Sequence, residues 1–106
     1  MAEFHLNLKR QWFELIDNEQ KTEEYREIKE HWTRVIDAEK GMFKIKGEWI
    51  PYDKVTLVFS NGYRKDRPQK AVACGGLEIR TGKQEWGAIP NRQYIVIKIA
   101  FDELPY

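Results

Sequence analysis

The sequence predicts a small α+β barrel, and three observations carry that prediction. Apolar residues recur at helical spacing in two short stretches near the N-terminus. Alternating or continuous apolar runs of strand length fill most of the remaining chain. Glycine-containing turn signals separate those runs. At 106 residues the chain accommodates one domain with one core.

Phe4-His5-Leu6-Asn7-Leu8-Lys9 alternates apolar and polar, the pattern of a half-buried strand. Trp12, Phe13 and Ile16 then fall on one face of a short helix over residues 10–18, and Asp17-Asn18-Glu19-Gln20 is its stop. Lys21-Thr22-Glu23-Glu24-Tyr25-Arg26 comes next and is expected to run extended as far as Ile28. Trp32, Val35 and Ile36 return to helical spacing and predict a second helix near 29–38, ended by Gly41. Met42–Ile50 reads as a short strand or a loop returning to the core, and Pro51-Tyr52-Asp53 as a turn.

Strands dominate the second half. Lys54–Ser60 places Val55, Leu57 and Phe59 on one face, and Asn61-Gly62 is a hairpin-like turn signal. Gln69–Cys74 and Leu77–Arg80 read as one strand interrupted by a bulge at Gly75-Gly76. Residues 84–90 lack a period and read as a loop. Tyr94–Phe101 is apolar enough for a central strand. The prediction is therefore two short helices near the N-terminus and four or five later strands.

Composition narrows the class. Hydrophobic residues make up 42% and charged residues 33%, as in a globular, water-exposed domain, and no run approaches the ~20 apolar residues of a membrane span. Cys74 is the single cysteine, which excludes an intrachain disulfide and a cysteine metal cluster, and His5 and His31 have no ligand-like spacing. The expectation is a cytoplasmic domain with no cofactor and no metal centre, a carboxylate-bound Mg²⁺ being the one metal left open. Cys74, among small residues, reads as a buried apolar side chain. The net charge of +1 names no partner. Its distribution is uneven: residues 1–53 carry nine Lys/Arg against twelve Asp/Glu, residues 54–106 nine against five. Arg64-Lys65-Asp66-Arg67-Pro68-Gln69-Lys70 concentrates that excess, either as a contact for phosphates or as a solvated hairpin tip.

The densest charge lies in Lys21–Arg26, with the pattern K-x-x-E-x-R. Extended geometry assigns Lys21, Glu23 and Tyr25 to one face and Thr22, Glu24 and Arg26 to the other. Runs of charge commonly face water, so a solvated strand or helix start is the plain alternative.

Placed between a short helix and a strand-rich half, this stretch resembles the G-x-K-x-x-E-x-R signature of the ASCH domain family. Glu19 stands where the family has glycine, a residue that admits a positive φ at a helix end. Asn61-Gly62-Tyr63, Glu85-Trp86-Gly87-Ala88 and Tyr94-Ile95-Val96-Ile97-Lys98 extend the similarity over nearly the whole chain, toward small stand-alone members. The resemblance implies a PUA-like β-barrel and a cleft lined by Lys21, Glu24 and Arg26. It also implies a ligand that is RNA, a nucleotide or a modified nucleoside. Some relatives are similar to amidohydrolases of N4-acetylcytidine and carry K-T-x-T-x-R; this chain keeps Lys21 and Thr22 but has Glu24 at the second threonine position.

Three functions are expected on these grounds. The first is an RNA- or nucleotide-binding module using Lys21, Glu24 and Arg26, with Tyr63 and Trp86 as stacking residues and Arg64 on phosphate. The second is a small metal-independent hydrolase, amidohydrolase-like or ribonuclease-like, with Glu24 as general base and Lys21 stabilising an oxyanion. The third is a protein-interaction scaffold whose charged residues form an ion-pair network only. Glu78 and Glu85 are candidate acids if folding brings them to the cleft. As exposed cleft residues, Lys21, Glu24 and Arg26 are expected to tolerate substitution, so that Lys21→Ala leaves the melting temperature within a few degrees.

Overall fold

A computed structural model describes residues 2–62 and 68–101. Strand β1 (Ala2–Leu8) turns Phe4, Leu6 and Leu8 inward, and helix α1 (Arg10–Asp17) adds Phe13 and Ile16 to the same core. Strand β2 (Glu23–Arg26) is followed by a single turn of helix, α2 (Glu30–Thr33). Three short strands come next: β3 (Ile36–Asp37), β4 (Met42–Ile45) and β5 (Glu48–Pro51). A 3₁₀ turn at Tyr52–Lys54 leads into β6 (Val55–Asn61); β7 (Gln69–Thr81), a second 3₁₀ turn at Gln84–Trp86, and β8 (Gln93–Ala100) complete the described chain.

Five strands form the main sheet in the order β1-β6-β7-β8-β2. The β1–β6 pair is parallel, with Phe4 opposite Leu57 and Leu6 opposite Phe59; the other pairs are antiparallel. Between Cys74 and Gly76 the register of β7 on β8 shifts, so the extra residue bends the longest strand. The sheet curls far enough for its two edges to touch: Arg26 of β2 donates from Nη2 to the Asn7 carbonyl of β1 at 3.2 Å. The result is a small α+β fold on a curled, half-barrel sheet. Its concave side holds Ile95, Ile97 and Ile99 of β8 against Leu57, Phe59 and Phe13. The second sheet, β3-β4-β5, brings fully buried Phe43 onto Phe4 with ring centroids 4.6 Å apart.

Two expectations for the middle of the chain are corrected. The helix predicted over 29–38 is confined to Glu30–Thr33, because Ile36 pairs with Phe43 across β3 and β4 and buries itself there. Gly41 accordingly sits in the turn between those strands rather than at a helix end. Met42–Ile50 is not one strand but a hairpin. Lys46 and Gly47 both have positive φ (52° and 81°), the type I′ geometry that suits the twist of two antiparallel strands. Among the described residues six strands therefore come after α2, not four or five. Elsewhere the predicted elements match: β1, α1, β6, the interrupted β7 and β8 lie where the periodicity put them.

Candidate functional site

The site begins at the C-terminal end of α1. Gln20 N–H donates to the Leu15 carbonyl (2.8 Å) and Glu19 N–H to the Ile16 carbonyl (3.0 Å), the paired bonds of a Schellman motif. That motif needs a left-handed residue after the helix cap, and Glu19 takes it with φ +65°. Lys21 N–H also bonds to the Leu15 carbonyl, and the Thr22 carbonyl accepts from Ile99 N–H of β8. Lys21 is thereby aimed inward before β2 begins.

Within β2 the alternation holds, and cross-strand partners fix the faces. Glu24 lies opposite Ile97 and Arg26 opposite Ile95, on the concave side; Glu23 and Tyr25 lie opposite Lys98 and Val96, on the convex side. Lys21 breaks the expected grouping. It precedes the strand, its side chain is fully buried, and its Nζ donates to Glu24 Oε1 at 2.6 Å and to the Glu23 carbonyl. Arg26 Nη2 donates to Glu24 Oε2 at 2.7 Å, and its guanidinium lies 4.8 Å over the Trp32 ring. Both oxygens of Glu24 thus accept one charged hydrogen bond, and its side chain is 9% exposed. The expectation that these are exposed residues is corrected: Lys21 and Glu24 are buried and Arg26 is half-buried, because the helix end and the curl of the sheet enclose them.

Burial pushes the Lys21 ammonium below its ordinary pKa, against the nearby Glu24 carboxylate, which favours the charged form. On the convex face, burial would raise the Glu23 carboxyl, but hydrogen bonds from Arg80 and Tyr25 hold it below its usual value. Arg80 also binds Glu78 (2.6 Å), which receives Lys98 at 3.5 Å. Glu78 therefore belongs to this second network, on the face away from Glu24.

Glu24 opens onto a cleft of about 260 Å³. Half-buried Trp12, Tyr25 and Trp86 and buried Tyr94 form its walls, with exposed Glu27, Ile89 and Arg92 at the rim. Gly87 admits Trp12: it has φ +99°, and a Cβ there would stand 2.9 Å from the indole ring. The tyrosine hydroxyls are already engaged. Tyr25 Oη donates to Glu23 and accepts from Lys83 N–H, and Tyr94 Oη accepts from Ile89 N–H. They present rings to the cleft, and Glu24 is the one buried charged side chain among the lining residues.

Of the residues singled out in the sequence, Glu24 and Trp86 line this cleft, and Lys21 and Arg26, which are not among the lining residues, each donate a hydrogen bond to Glu24. Glu85 is exposed and is not among the lining residues. Tyr63 and Arg64, with Lys65, Asp66 and Arg67, lie outside the described residues; Lys70, from the same basic stretch, donates to the Asp17 carbonyl at 3.0 Å. Trp12, Tyr25 and Tyr94 read as core or packing residues in the sequence, and Glu27 and Arg92 carried no signal at all. Only the density of aromatic residues, four Trp, five Tyr and five Phe, hinted that some serve as walls.

Among the described residues no group of three or more His, Cys, Asp or Glu is placed to hold a metal ion, and no helix is long and apolar enough to cross a membrane. Comparison with protein-family models, with curated proteins and with solved structures returns no match.

Proposed function

We propose that this chain is an RNA- or nucleotide-binding module of ASCH type, its curled sheet a variant of the PUA-like barrel. The observation that carries this reading is a carboxylate, Glu24, clamped by Lys21 and Arg26 and exposed at one point to an aromatic-walled cleft. Aromatic faces stack on any base, and a fixed carboxylate accepts hydrogen bonds from base edges. The K-x-x-E-x-R pattern and the order of the later segments support the family assignment.

The test is a titration with mononucleotides and short single-stranded RNA, followed by tryptophan fluorescence. Stacking on Trp12 or Trp86 quenches emission, and Trp86→Ala is expected to weaken binding by about 5- to 150-fold, the range that base–aromatic stacking supports. Binding that neither Trp86→Ala nor Trp12→Ala weakens would place the ligand elsewhere.

A second reading, amidohydrolysis of an N-acylated nucleoside, is favoured by one feature: a lysine with lowered proton affinity 2.6 Å from a carboxylate. In that reaction Glu24 takes a proton from water as the hydroxide adds to the acyl carbon, and gives it to the nitrogen as the C–N bond breaks, releasing the carboxylic acid and the free amine. Binding ranks above it because both Glu24 oxygens are engaged by cations and Lys21 has no exposed surface. Incubation with N4-acetylcytidine separates the two. Binding alone predicts no turnover by the wild type; wild-type turnover abolished by Glu24→Gln favours hydrolysis.

A further inference from the structure

We infer that the cleft selects guanine among the bases, through the Watson–Crick edge of the ring on Glu24. This rests on the nucleotide-binding reading above and names its ligand class.

A carboxylate has two oxygens with two lone pairs each. Lys21 occupies one site on Oε1 and Arg26 one on Oε2, so each oxygen keeps one acceptor site. The complement of two parallel acceptors is two adjacent N–H donors. Guanine offers them, as N1–H and the N2 amino group. Adenine and cytosine each set a ring-nitrogen acceptor beside their amino group, which meets a carboxylate lone pair unfavourably. Uracil flanks its single N–H with two carbonyl oxygens.

The rest of the lining agrees with this choice. Tyr25 donates its hydroxyl proton to Glu23, Tyr94 Oη accepts from Ile89 N–H, and Glu24 is the buried charged side chain among the lining residues. Arg26 and Lys21 fix the carboxylate from two directions, so its free lone pairs are held in one orientation before a ligand arrives. Arg92, exposed at the rim, is the cation among the lining residues and suits the phosphate of a nucleotide.

The experiment varies the ligand, because substitution of Glu24 disturbs a buried ion cluster. GMP, AMP, CMP and UMP are titrated into the wild-type protein by calorimetry, alongside IMP, which lacks the N2 amino group, and 1-methyl-GMP, which lacks N1–H. GMP is expected to bind about 5- to 150-fold more tightly than AMP, CMP or UMP, the discrimination that one bidentate contact provides. IMP and 1-methyl-GMP should each lose most of that advantage. Equal binding of all four nucleotides, with tryptophan quenching, would overturn the guanine assignment and leave the nucleotide-binding reading standing. So would a preference for another base, or 1-methyl-GMP binding as tightly as GMP. No binding of any nucleotide at millimolar concentration would overturn both. Choline serves as a further probe: tighter binding of choline than of GMP would mean that the aromatic walls receive an alkylammonium group, and would overturn the base assignment.

Discussion

Lys21 Nζ lies 2.6 Å from Glu24 Oε1, the lysine side chain fully buried and the glutamate 9% exposed. Two ionic groups so enclosed lose their hydration, a cost of several kcal/mol per ion that their attraction does not always recover. What the pair secures is geometry. With Arg26 on the second oxygen, the Glu24 carboxylate cannot rotate without breaking a charged hydrogen bond. The same arginine reaches the Asn7 carbonyl, so the clamp on Glu24 also ties the two edges of the curled sheet.

Removing Lys21 therefore has a stability cost. Lys21→Met is expected to destabilise the fold by about 3–5 kcal/mol, the range for breaking a buried pair from one side. For a domain near this size that lowers the melting temperature by more than ~10 °C. The double variant Lys21→Met with Glu24→Leu should recover part of the loss, since no carboxylate is then left short of Lys21, while Arg26 keeps its bond to the Asn7 carbonyl but loses the one to Glu24. Chemical denaturation of the two singles and the double measures the coupling; additive effects would mean that the pair does not interact in solution.

How far the sequence disclosed the site depends on which force decided each residue. Period-two alternation separated Glu24 and Arg26 from Glu23 and Tyr25, and the structure keeps that separation. It misplaced Lys21 because that residue precedes the strand, where helix-end hydrogen bonds rather than pleat direct the side chain. The barrel class was read from the order of two short helices and several strand-length runs, but the contact between Arg26 and Asn7 spans nineteen residues of the chain and leaves no periodic trace. Trp12 packs against the core as its helical spacing predicts and also borders the cleft, which spacing alone does not reveal. The β4–β5 hairpin was missed because Lys46 occupies a positive-φ position more commonly held by asparagine, aspartate or glycine.

On the convex face, Glu23 is predicted to matter in acid. Its folded-state carboxyl is held below the usual value, mainly by Arg80 and Tyr25 acting against burial. A depressed carboxyl contributes stability above its unfolded pKa and loses it as pH falls through the folded value. The stability difference between wild type and Glu23→Gln should thus be largest near neutrality and shrink below pH ~4. A difference independent of pH between 2 and 7 would show that the Arg80 contact is not made.

The alkaline side carries opposing signs. Burial pushes the Cys74 thiol up to about 11 from an ordinary value of 9.0. Between those values the unfolded chain has lost its proton and the folded chain has not, so stability falls as pH rises, by up to ~3 kcal/mol. Tyr25, raised to about 12 mainly by burial, extends the fall above pH 10. Lys21 acts the other way: its lowered folded pKa makes stability rise with pH up to the unfolded value of 10.5. Urea unfolding of wild type and Cys74→Ala from pH 8 to 11 isolates the thiol, because the other contributions cancel in the difference. That difference should decline steadily above pH 9; a constant difference would mean that Cys74 is not enclosed as described.

The last prediction concerns Glu19, whose φ of +65° closes the Schellman motif that delivers Lys21 to Glu24. A left-handed conformation costs an ordinary residue about 1–2 kcal/mol, and glycine adopts it freely. Glycine also adds freedom to the unfolded chain, which returns about 0.4–1 kcal/mol of that gain. Glu19→Gly should therefore stabilise the protein by about 0.5–1 kcal/mol. Glu19→Val, whose branched Cβ tolerates this region poorly, should destabilise it. The motif's hydrogen bonds are made by backbone groups and the Glu19 side chain is exposed, so nucleotide affinity should be the same for wild type and Glu19→Gly. Stability that falls in Glu19→Gly would show that the glutamate side chain, and not the backbone turn, holds this corner of the site.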